Sequence, residues 1–144
     1  NSIRKNHVFT GLFDGCILRL HMGNTKGEIL IMVRNQLVCE QRECVCDGVG
    51  KAEISHWLSA EELCPNLKFL STITLKKGAS VGNHSHTGEA EVYFMQKGTG
   101  EYNDNGKTVL VKAGDVTVCY DGECHGLKNI GDGEFVFYAA IIKG

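Results

Sequence analysis

Several features are scarce in this sequence, and each absence removes a class of function. Among 15 basic and 17 acidic residues no run or stripe of lysine and arginine occurs, and the net charge is -2 with a pI near 6.3. Nucleic acid is therefore not an expected partner, because such partners need a concentrated positive face. No apolar run approaches the ~20 residues that cross a bilayer, so no membrane partner is expected. The seven cysteines, Cys16, Cys39, Cys44, Cys46, Cys64, Cys119 and Cys124, form an odd set without the spacing of a secreted disulfide scaffold. That favours a reducing, cytoplasmic setting. No C-x2-C knuckle of a structural zinc site is present. The group Cys39, Cys44 and Cys46 could offer thiolates to a soft metal, but ordinary thiols are the plainer reading. There is no Ser-His-Asp spacing, and no positive cluster awaits a phosphate; Lys97 and Lys128 read as solvated strand ends. The first residue is Asn1 rather than methionine, the expectation for a trimmed start.

Proline is also scarce, one residue against 18 glycines in a chain of 144. That length suits one domain, with enough buried surface for a core that needs no staples. Glycines clustered between β-branched runs predict many tight turns, and so an all-β protein. From about residue 69 onward the runs are short and evenly spaced: "FLSTITL", "EVYFMQKG", "GDVTVCY", "CHGLKN" and "EFVFYAAII". Between two further runs Asn105-Gly106 gives a strong hairpin signal. Such strands build a sandwich or small barrel over residues 69–144. Residues 1–68 read as an N-terminal extension packed on that barrel, with strands in "CILRLHMG" and "EILIMVRNQLVCE". A short helix is expected in "SHWLSAEELCP", where Ser59 and Glu62 form a capping-box pattern and Pro65 ends it. A twofold interface, covered in part by "EILIMVRNQLV", would make the protein a homodimer.

The stretch "HSHTGEAE", residues 84–91, raises the functional question. His-x-His is common in solvated loops. On a strand, however, His84 and His86 face the same way about 6.6 Å apart, and Glu91 can return beside them across a tight connection. His125 would have to approach from a neighbouring strand. Three imidazoles and a carboxylate would suit one divalent transition ion: manganese, iron, nickel, cobalt or zinc.

These residues sit in two longer patterns. "GASVGNHSHTGEAEVYFMQKG" carries Gly78, His84, His86, Glu91 and Gly98 at the spacing G-x5-H-x-H-x4-E-x6-G. "GDVTVCYDGECHGLKN" carries Gly114, Gly122, His125 and Asn129. Both resemble the two motifs of the cupins, and only Tyr120, where the family usually has proline, departs. The resemblance implies a double-stranded β-helix, that is, a jelly-roll cupin barrel, with His84, His86, Glu91 and His125 as metal ligands. Asn129 is expected to bond backbone near the second motif.

If Glu91 faces inward, alternation sends Tyr93, Met95 and Lys97 the same way, and Leu127 follows His125. Tyr93 is then either plain core or a phenol that holds a substrate oxygen or relays a proton, the one candidate catalytic residue. The final run puts Phe135, Phe137, Ala139 and Ile141 on one face and Val136, Tyr138 and Ala140 on the other, without deciding which faces inward. The favoured function is a metal-dependent enzyme on a small oxygen-rich metabolite, of isomerase, epimerase or decarboxylase type. An iron-dependent dioxygenase and a non-catalytic small-molecule binding or sensing module are the alternatives.

Overall fold

Period-two alternation dominates the chain, and it is what the strands bury. In β3 (Leu67–Leu75) Ser71, Ile73 and Leu75 are inside; in β5 (Glu89–Lys97) Glu91, Tyr93 and Met95 are; in β10 (Phe135–Lys143) Phe135, Phe137 and Ala139 are. The computed structural model of the protein describes residues 37–144. The remaining strands are β1 (Val38–Glu43), β2 (Lys51–His56), β4 (Ser80–Ser85), β6 (Thr99–Asp104), β7 (Lys107–Lys112), β8 (Val116–Cys119) and β9 (Cys124–Asn129). They form a six-stranded sheet in the order β1-β2-β3-β10-β5-β8 and a four-stranded sheet in the order β4-β9-β6-β7. All pairings are antiparallel. This is the expected all-β jelly roll. Its core contains Ile54, Ile73, Leu75, Tyr93, Met95, Leu127, Phe135 and Phe137. Full burial of each such apolar side chain contributes about 1.5–3 kcal/mol.

Turn chemistry fixes the register. Asn105 and Gly106 both have positive φ, 50° and 89°, as the two-residue hairpin between β6 and β7 requires. Asn103 Oδ1 accepts the Gly106 N–H at 2.6 Å, and Tyr102 pairs with Val109. Asn129 is buried and bonds backbone as expected. Its Nδ2 donates to the Leu75 and Gly133 carbonyls at 2.9 and 2.8 Å, and its Oδ1 accepts from the Gly131 N–H at 2.9 Å. The described part of the N-terminal segment supplies β1 and β2, and β2 pairs directly with β3.

Two expectations change, and one choice left open by the sequence is decided. The capping box at Ser59 half forms, with the Ser59 N–H donating to Glu62 Oε2 at 2.9 Å, but only a turn follows. β3 starts at Leu67, so the chain has no length for a second helical turn. The short helical element instead lies at Val45–Asp47, as a 3-10 turn. Lys97 does not face inward. The β5–β10 register shifts between Val136 and Phe137, and the lysine is exposed beside Glu134 Oε2 at 3.8 Å. The open choice concerns β10: Phe137 packs 4.7 Å from Tyr93, so the Phe135–Phe137–Ala139 face is the inner one. The runs proposed at residues 16–23 and most of 28–40, with Cys16, lie outside the described residues.

The loop carrying the 3-10 turn closes the free edge of β4. Its backbone comes so close that a Cβ on Gly82 would collide with the Cys46 carbonyl and the Gly48 nitrogen, and one on Gly48 with the Ser80 carbonyl. Ser80 N–H donates to the Val49 carbonyl at 2.8 Å, stitching the loop to the strand. Only glycine fits either position.

Candidate metal centre

The two sheets bring four polar side chains together inside the barrel. His84 on β4 stands directly opposite His125 on β9 in the four-stranded sheet. His86 lies just past β4, kept extended by its N–H to the Glu123 carbonyl (3.2 Å) and its carbonyl to the Gly122 N–H (2.9 Å). Glu91 comes from the other sheet, where it pairs with Cys119 and Ile141, and reaches across. Each offers one ligand atom, and the four atoms lie within 4.8 Å of one another. Among the described residues no other group of three or more His, Cys, Asp or Glu converges in this way. Cys39, Cys44 and Cys46 do not: Cys39 lies on β1 beside Ser55 Oγ at 3.1 Å, and the other two belong to the exposed loop.

The orientation of each imidazole has a separate cause. His84 Nδ1 is 3.0 Å from the Gly82 carbonyl, a group that can only accept, so Nδ1 carries the proton. His86 Nδ1 is 3.1 Å from Glu89 Oε1, again an acceptor. His125 Nδ1 is 3.0 Å from the Tyr102 hydroxyl. With the protons outward on Nδ1, as the acceptors require for His84 and His86 and the hydroxyl permits for His125, the Nε2 lone pairs point inward. The inward atoms are crowded. His125 Nε2 lies 3.1 Å from both other Nε2 atoms, and Glu91 Oε2 is 2.8, 3.2 and 3.4 Å from those of His125, His86 and His84. Facing lone pairs and a carboxylate repel unless a proton or a cation lies between them. Ligand atoms at right angles around an ion with bonds of about 2.1 Å would sit about 3.0 Å apart, so the cluster could hold a transition metal.

Electrostatics point the same way. Burial opposes ionisation of Glu91, but the imidazoles of His125 and His84, when a proton rather than a metal ion lies on Nε2, override it and hold the carboxyl at about 2. The hydrogen bond to Glu91 raises His84 above its usual 6.5, against burial. Tyr93 is buried, its ring stacked 4.9 Å from His125 and its hydroxyl donating to Glu91. Burial and the Glu91 charge push that phenol well above 10, and burial takes Tyr102 to about 12. Neither phenol is a base at neutral pH. His84 alone among the four shows appreciable surface, 21% of its side chain against 5% or less for the others.

The four converging residues and Tyr93 are those the sequence motifs single out, whereas their supports carry no such signal. Glu89 lies on the same strand face as Glu91, two residues earlier, so alternation could have found it. Tyr102 could not be placed, because its contact with His125 depends on the pairing of β6 with β9.

With this geometry in view, the comparisons with known proteins are specific. The family model described as Cupin domain matches residues 71–141. An oxalate-binding protein of Thermotoga maritima is 35% identical over 117 residues, which is 81% of this chain and 97% of the relative. A solved structure from the same organism, described as a predicted oxalate decarboxylase, superposes with a TM-score of 0.75 at 35% identity, covering 80% of this chain and all of that one. The cupin domain of Schizosaccharomyces pombe Cnp3 shares the fold at a TM-score of 0.59 and 16% identity, over 65% of this chain and 61% of that one. Fold, motif spacing and relatives agree: the chain belongs to the cupins.

Proposed function

We propose that His84, His86, Glu91 and His125 hold one divalent transition ion, and that this centre takes a small oxygen-rich carboxylate, with oxalate the leading candidate. The observation that carries the metal assignment is the inward crowding of three Nε2 lone pairs and a carboxylate, each imidazole with its Nδ1 already facing an outward partner. The substrate class is supported by the relative named for oxalate binding. When bound, the ion supplies Lewis acidity toward an oxygen-donor ligand.

The protein's own groups set the rest. The exposed edge of His84 leaves one flank for a ligand, while Tyr93 holds Glu91 from behind and stacks on His125. Tyr93 is thus a positioning residue rather than one that meets the substrate. Both phenols near the cluster are engaged and protonated, which disfavours isomerase or epimerase chemistry that begins by removing a proton from carbon. Loss of CO2 from oxalate needs no such base: the C–C bond breaks and its electron pair takes a proton from water to give formate, so the decarboxylase branch is the favoured reaction. Binding without turnover is the second reading, favoured by the deep burial of every ligand but His84.

Calorimetry with oxalate on protein loaded separately with manganese, iron, cobalt, nickel or zinc tests the proposal, with formate and CO2 measured alongside. Metal-dependent oxalate binding that disappears in His84→Ala supports it. Formate release selects the enzyme, and tight binding without products selects the binding module. Oxalate binding that ignores metal would refute the centre, and iron-dependent dioxygen uptake with a substrate would replace this reaction by the dioxygenase.

A further inference from the structure

The three histidines of the cluster are not supported alike. His84 and His125 direct Nδ1 at neutral groups, a backbone carbonyl and a phenol. His86 alone faces an anion, Glu89. That carboxylate is itself gripped at both oxygens by Lys68, with Nζ 2.9 Å from Oε1 and 2.8 Å from Oε2. Lys68 belongs to β3 and Glu89 to β5, and the strand between them is β10, whose Ile142 pairs with Leu67 and whose Lys143 pairs with Glu89. The ion pair therefore spans the last residues of β10. Glu89 keeps only 13% of its side chain exposed, whereas Lys68 keeps 52%. The bond to Lys68 is the main cause holding the Glu89 carboxyl below its usual range.

We propose that Lys68 and Glu89 act together as a positioning device for His86, with Glu89 locking the ring with its proton on Nδ1 and Lys68 locking Glu89. The device deepens the metal assignment above and rests on it. His86 lies beyond the end of β4, where the turn at Gly122 and Glu123 holds its backbone, and Glu89 is the side chain that holds its ring. An isolated Lys–Glu pair on a surface is worth little. Here the carboxylate is mostly buried and makes a third, charge-assisted bond inward, which turns the pair into a link of a chain. Removing outer partners of metal-bound histidines typically weakens metal binding about 10- to 100-fold.

The test uses the full chain and two independent measurements. In metal-free, 15N-labelled protein at pH 8, long-range 1H–15N spectra report which nitrogen of His86 carries the proton. Affinity for cobalt is measured by competition with a chromophoric chelator. Wild type should show the Nδ1–H form of His86, and Glu89→Gln a mixture of the two forms. Glu89→Gln should bind cobalt about 10- to 100-fold more weakly. Lys68→Met should weaken binding in the same direction by less, and Lys68→Arg, which can also grip both oxygens, should restore it. The double variant should be no worse than Glu89→Gln alone, since Lys68 works only through Glu89. An Nε2–H form in wild type, or a tautomer unchanged in Glu89→Gln, overturns the device. So does cobalt affinity that falls additively in the double variant. If wild type binds no cobalt while its tautomer still responds to Glu89→Gln, the metal centre fails and the control of His86 stands.

Discussion

His125 and His84 face each other across β4 and β9, yet their loss should have different consequences, which separates a ligand role from a structural one. Both variants, His125→Ala and His84→Ala, remove one imidazole from the centre, so metal content after purification should collapse in each. The metal-free proteins should differ. His125 has 1% of its surface exposed, stacks on Tyr93 at 4.9 Å and bonds the Tyr102 hydroxyl at 3.0 Å. Truncating it opens a cavity, for which buried large-to-small changes cost about 2–5 kcal/mol. It also strands the Tyr102 hydroxyl, for about 1–3 kcal/mol. Relief of crowding among the remaining Nε2 atoms and Glu91 offsets part of this, and about 3 kcal/mol is the expected net loss. His84 is partly exposed, and its outward partner is a backbone carbonyl, that of Gly82. Its removal should cost less than about 1 kcal/mol. Urea unfolding of both proteins in EDTA measures the difference. If His125→Ala matched wild type, or if His84→Ala were the less stable, the account of how the barrel supports these rings would be wrong.

Further outcomes follow from the same structure. Asn129→Ala strands three backbone groups and should lower stability by about 3 kcal/mol in thermal or urea unfolding, whereas a loss below about 1 kcal/mol would make its three bonds dispensable. Gly82→Ala drives a methyl group into the Cys46 carbonyl and should both destabilise the fold by about 1–3 kcal/mol and weaken metal binding, because the same residue orients His84. The pH dependence should reverse with metal. His84 is raised above 6.5, so in metal-free protein its contribution to stability is present below 6.5 and fades as pH rises through the raised value. The Glu91 contribution is complete above 4.5 and lost as pH falls toward 2. EDTA-treated protein should thus be more stable at pH 6 than at pH 8.5, and the loaded protein less so, because protons displace the ion. Equal slopes in urea titrations of the two forms would contradict this. Phe94 and Val116 pair on β5 and β8 with both side chains exposed, and Val118, Tyr120 and Ile142 are exposed as well. Such apolar strand surface supports a homodimer, to be seen by sedimentation at low micromolar concentration; a strictly monomeric species would exclude it.

What could be read from the sequence divides along a physical line. The set of four was legible through the spacing of two cupin-like motifs, although Glu91 arrives from the opposite sheet rather than across a hairpin; only the alignment of His84 with His86 follows from a local rule, two-residue alternation. The hairpin at Asn105-Gly106 was legible for the same reason, since positive φ at both positions leaves few alternatives. Features set by contacts between distant strands were not. Which face of β10 is buried depends on its register with β3 and β5, and both faces of "EFVFYAAII" are apolar enough to be inside. The helix expected after Ser59 had a real local signal, and half of its capping box did form. It was overruled by the need to begin β3 at Leu67. Tyr102 shows the same limit within the site, because only the pairing of β6 with β9 brings its hydroxyl to His125. Glu89 is the instructive case. It lies inside the quoted stretch and on the correct face, yet its purpose depends on Lys68, 21 residues earlier and two strands away. A residue of the cluster can thus be recognised from its own strand, while the support proposed for it is a property of the folded sheet.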